Sequence, residues 1–86
     1  MIGGIPLEEI SLAALPLGAW AEMRRETLEP GAGRRLRELG LVRGTAVSHL
    51  YTAPAGSPMA FSIRGAVIAL RTQDCRRITV AVETAP

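Results

Sequence analysis

Arg34-Arg35-Leu36-Arg37-Glu38-Leu39-Gly40-Leu41-Val42-Arg43-Gly44-Thr45 decides how this 86-residue chain is organised. Leu36 and Leu39 stand three apart on one side of a short amphipathic helix, with Leu41 just beyond. Gly40 is a stop that accepts left-handed backbone. Val42-Arg43-Gly44 makes a second turn. Thr45 then opens a stretch rich in β-branched and aromatic residues, which suits a strand over 45–53.

The chain on either side reads as short strands joined by turns. After the strand comes Pro54-Ala55-Gly56-Ser57-Pro58, a loop stiffened at both ends by proline. Met59, Phe61 and Ile63 alternate with Ala60, Ser62 and Arg64, the period of a strand with one buried face. Gly65 marks a tight hairpin, and residues 67–71 return with Ile68 and Leu70 inward. Thr72 caps a turn through Gln73, Asp74, Cys75 and Arg76. Ile78, Val80 and Val82 form a last alternating strand, and 83–86 fray.

Upstream, Ser11 caps a helical turn that points Leu12 and Leu15 inward, and Pro16-Leu17-Gly18 ends it. Residues 19–27 alternate as a half-buried strand. Their phase puts Trp20 outward, either over a barrel end or as a partner surface. Residues 28–33 are a flexible connection, with the helix over 33–39. Gly3-Gly4 and Pro6 break up the start, so 1–10 reads as a loose arm and 11–83 as the folded domain. Five short strands at regular spacing suggest a small closed barrel with one or two short helices. Periodicity leaves SH3-like and OB-like forms undecided.

Composition narrows the function. A chain of this length holds one small domain. Its only aromatics are Trp20, Tyr51 and Phe61, so the core is aliphatic. All ten basic residues are arginine, and the formal charge is only +2. The arginine pairs alternate with carboxylates, whereas a nucleic-acid binder concentrates basic charge on one face and adds aromatic platforms. The single cysteine excludes an internal disulfide. The apolar run over 12–21 is broken by Pro16 and Gly18 and preceded by Glu8 and Glu9. It fits neither a signal peptide nor the about 20 residues of a membrane span. These features point to the cytoplasm.

Catalytic chemistry has no local pattern here. Cys75 and four serines are the nucleophile candidates, and His49 is the only histidine, in mid-strand. Gly31-Ala32-Gly33 lacks the lysine and hydroxyl of a phosphate loop. A structural metal site wants four closely spaced Cys or His ligands. His49 and Cys75 offer one of each, far apart in the chain. They read as a strand residue and a small core residue. Adventitious zinc or nickel at His49 with a surface carboxylate, or at Cys75, stays open. No cofactor is implied.

Several residues together carry a family resemblance. They are Ser11-Leu12, Leu15-Pro16, Gly18, Leu36, Leu39-Gly40-Leu41, Gly44, Val47, Ala53-Pro54, Gly56, Pro58, Arg64-Gly65, Ile68-Ala69-Leu70-Arg71, Ile78 and Val80. In this order and spacing the chain resembles the FeoA family, over 11–82. His49, Ser57, Cys75 and the N-terminal arm depart from the family pattern. The resemblance implies an SH3-like barrel, bacterial and cytoplasmic, and not an enzyme. It implies an accessory to ferrous iron uptake that docks on the cytosolic part of the transporter FeoB. A partner surface would use aliphatic contacts at Leu36, Leu39, Ala53, Pro54, Gly56, Pro58 and Met59. Leu36 and Leu39 read equally as packing of the helix on the barrel. The resemblance implies no nucleic acid and no insertion into the membrane, and leaves self-association open. A second reading is an interaction module of a metal-dependent DtxR-type regulatory system; a nucleic-acid-binding small barrel is a third.

Overall fold

The computed structural model describes residues 7–84. The fold is mainly β, as the sequence predicts, but has six strands instead of five. They are β1 (Leu7–Ser11), β2 (Trp20–Glu26), β3 (Ala46–Thr52), β4 (Met59–Ile63), β5 (Ala66–Leu70) and β6 (Ile78–Glu83). All pairings are antiparallel, in one sheet of order β1-β6-β2-β3-β4-β5. A single 3-10 turn, Leu12–Ala14, and two helices, α1 (Pro30–Glu38) and α2 (Thr72–Cys75), fill the connections.

The extra strand corrects the expected loose arm. Leu7 pairs with Glu83 and Ser11 with Thr79, so residues 7–10 lie in the sheet and Glu83 is held in β6. The remainder of that arm, 1–6, and the tail beyond 84 lie outside the described residues. The helix also starts earlier than expected. Pro30 takes the first helical position, where its missing N–H costs nothing and its fixed φ suits the helix.

Ser11 does what its position predicts: its Oγ accepts from the Ala13 N–H at 3.0 Å, starting the 3-10 turn. Leu12 and Leu15 are thereby driven into the core. Ala21 and Met23 point inward from β2, Val47 from β3, Phe61 and Ile63 from β4, and Ile78 and Val80 from β6. Cys75 and Leu41 complete the same cluster. Phe61, fully buried, is its largest member. Burial of that ring contributes about 2–3 kcal/mol in transfer free energy.

Turn chemistry follows the sequence closely at two glycines. Arg64 at φ +51° and Gly65 at φ +84° form a two-residue hairpin turn between Ile63 and Ala66. Left-handed backbone at both positions matches the twist of the flanking strands. Gly40 at φ +103° ends α1, and a Cβ there would meet Arg64 Cδ at 2.3 Å. Gly40 is therefore needed for its backbone and for the arginine stem that lies over it. The Glu26 carboxylate holds the other side of α1, accepting from Leu28 N–H at 2.7 Å and Arg37 Nη1 at 3.0 Å. Thr72 does not cap α2; its hydroxyl donates to the Gly56 carbonyl.

Candidate partner-binding surface

The residues expected to form a partner surface divide between core and surface. Leu36 and Met59 are each 4% exposed and belong to the central cluster. Their reading as contact residues gives way to packing, because a nine-residue helix needs docking to persist. Leu39, at the α1 C-cap, is exposed. Pro54, Gly56 and Pro58 are exposed and Ala53 is half-buried.

The loop that carries these four residues is fastened at its base. Ala53 N–H donates to the Pro58 carbonyl at 3.0 Å, and Gly56 N–H to the Ala53 carbonyl at 2.8 Å. Gly56 has φ +91°. The Ser57 hydroxyl accepts from Thr72 N–H at 3.2 Å, tying the loop to the start of α2. A loop held this way loses little conformational freedom on docking.

A larger, mostly apolar groove runs along β1, β6 and β2. It has a volume of about 570 Å³ and is lined by Leu7, Pro16, Trp20, Val82 and three alanines, together with the carboxylates of Glu22 and Glu83. Its geometry follows from register. Glu22 and Glu9 both lie opposite Ala81, so Leu7, Trp20 and Ala81 share one sheet face. Trp20 is 62% exposed at one wall. Its strand phase predicts an outward ring, but the groove needs Leu7, which the sequence places in an arm. That long-range pairing is why the site was not legible locally.

Charges frame this face. The Arg25 guanidinium donates to the Glu9 carboxylate at 2.8 Å, reaching across β6. That bond holds the Glu9 carboxyl below its ordinary range, with Arg24 and Arg43 adding positive charge. Arg24 pairs with Glu22 on the same strand.

The two candidate metal ligands are occupied or buried. His49 Nδ1 lies 2.8 Å from the Leu15 carbonyl, and Nε2 lies 2.7 Å from the Thr52 hydroxyl. The carbonyl only accepts, so Nδ1 carries a proton and donates to it. The ring packs 5.3 Å from that of Phe61, its cross-strand partner. It links the turn before β2 to β3, a role that single-sequence reading missed. Cys75 is fully buried, and burial pushes its thiol up to about 12, with the Asp74 charge adding to the effect. Among the described residues, no three His, Cys, Asp or Glu side chains converge as a metal cluster.

Comparison with known proteins agrees with this architecture. The model of the FeoA domain matches residues 10–82. The solution structure of the FeoA protein from Chlorobium tepidum is 36% identical, with a TM-score of 0.83 over 85% of this chain and 70% of that one. The zinc-complexed crystal structure of Stenotrophomonas maltophilia FeoA, described as a prokaryotic SH3 domain protein, is 28% identical. Its TM-score is 0.73 over 88% of this chain and 99% of its own. T. acidophilum IdeR shares the fold alone, superposing with a TM-score of 0.77 at 18% identity, over 91% of this chain and 36% of that one. No curated protein matches the chain in sequence.

Proposed function

This chain belongs to the FeoA domain family, and from that membership we propose that it is a cytoplasmic accessory of ferrous iron uptake. It docks on the cytosolic part of a FeoB-type transporter. The barrel binds one conformation of that region more tightly than another and so shifts its population. It acts by contact, with no bond-making step and no ion of its own.

The observation that carries this reading is the Trp20 groove. It is an exposed, preformed depression, mostly apolar with an aromatic wall and two carboxylates, on a chain whose histidine and cysteine are both committed to the core. Aromatic side chains in such positions supply most of the energy of protein contacts. Leu39 and the loop over 53–58 are separate exposed positions that complete the proposed docking set.

The test is binding of this chain to the transporter's isolated cytosolic domain and to the full-length transporter, with GTP turnover followed in parallel. Binding to either, weakened about tenfold or more by Trp20→Ala at unchanged melting temperature, is the expected result. An absence of binding to both removes the proposal.

A further inference from the structure

We infer that the outer edge of β5 accepts an extended segment of a second protein, added as a seventh strand along the slot between β5 and α1. Backbone geometry makes the case first. The two-residue turn at Arg64 and Gly65 makes Ile63 and Ala66 a hydrogen-bonded pair. Antiparallel alternation then turns Ala66, Ile68 and Leu70 toward β4. The N–H and C=O groups of Val67 and Ala69 point away from the sheet, and no described residue bonds to them.

The side chains leave this edge open. β5 reads Ala-Val-Ile-Ala-Leu, without a charge, proline or bulge to blunt it. Val67 is 65% exposed. Beside the strand runs a slot of about 470 Å³, floored by Leu28, Ala32, Leu36 and Leu70. An added strand would satisfy the free backbone groups and drop an aliphatic side chain into this slot.

Charge decides the occupant. Arg64 and Arg71 bracket β5, and neither forms an ion pair among the described residues. A second copy is a poor fit. Pairing Val67 of one copy with Ala69 of the other sets Arg71 opposite Gly65 and one position from Arg64, at both ends. Facing like charges destabilise a strand pair. The slot itself is of mixed charge, lined by Arg35 as well as by Glu29 and Asp74, so the bracketing Arg64 and Arg71 set the sign at the strand ends, and apolar bulk belongs at the centre. The ligand is therefore an extended segment of alternating aliphatic residues with a carboxylate at each end.

The inference is independent of which protein supplies that segment, and a synthetic peptide tests it. The probe is Glu-Val-Thr-Val-Thr-Val-Glu, with a backbone N-methylated version and a Lys-ended version as controls, read by amide NMR of the full chain. The expected result is slowed exchange of the Val67 and Ala69 amides, with shifts along β5 and α1. Each control, and Val67→Pro in the protein, should lower affinity about tenfold. Proline is tolerated where an edge N–H faces solvent, and the N-methyl control holds whether or not that variant folds. No response at β5, a response confined to the Trp20 face, or equal binding of the Lys-ended peptide overturns the inference. So does a concentration-dependent β5 dimer in the absence of peptide.

Discussion

The two borders of the sheet are built on opposite rules. β1 carries Glu8 and Glu9 at its centre, and the Glu9 carboxylate is held by Arg25 across β6. β5 has five uncharged residues, exposed at Ala66, Val67 and Ala69. Natural sheets guard their borders with charge because unpaired backbone invites pairing. One border here is guarded and the other is not, although the same core supports both. The contrast teaches that the bare border is not a by-product of a small fold, since the chain shows at β1 how it closes one.

The strongest way to break the contrast is to weaken the strand beneath each border. Phe61→Ala in β4 should cost about 3–5 kcal/mol and Ile78→Ala in β6 about 2–5 kcal/mol, measured by urea unfolding. Both residues lie in one cluster. Exchange protection should therefore fall at both borders in each variant. Protection lost on one side alone would show two separate supports.

Next in size is the wall of the β5 slot. Leu36→Gln should cost about 3 kcal/mol, through lost apolar burial and a desolvated amide. Leu39→Gln, on the exposed side of the helix end, should stay within about 0.5 kcal/mol. A comparable loss at both would mean that the whole helix is clamped, not one face of it.

Exchanging the borders' chemistry sharpens the contrast further. Val67→Lys should leave stability within about 0.5 kcal/mol and abolish capture of extended peptide at β5. Glu8→Val should make the β1 side adhesive, visible as concentration-dependent mass in sedimentation. The smallest effect is at Glu9. Its folded pKa lies below the ordinary 4.5. Its contribution is therefore complete above the unfolded pKa and lost as pH falls through the folded one. Glu9→Gln should flatten a small acid-side slope in stability, and added salt should reduce the slope in the parent chain.

Much of the scaffold was legible because its signals are local. Gly40 and Gly65 announce a helix stop and a hairpin, and the alternation through Phe61 and Ile63 announces a buried face. β1 was not legible, since its pairing with β6 joins opposite ends of the chain, and strand formation follows such partners more than intrinsic preference. The start of α1 carries a usable signal in Pro30, although its neighbours Gly31 and Gly33 make 28–33 read as a flexible connection. The surface was the least legible part. Leu36 and Met59 look like contact residues in a short helix and beside a proline loop, but only the packed core shows how deeply both are buried. Trp20 was placed outward by phase, yet its groove needed the unseen neighbour Leu7.

The arginine stem resting on Gly40 gives one glycine an unexpected office. It joins the tip of the β4-β5 hairpin to the end of α1, so one hydrogen atom meters the clearance between strand and helix. Gly40→Ala would strain the left-handed end of the helix and push the arginine stem aside, loosening the tie between hairpin tip and helix.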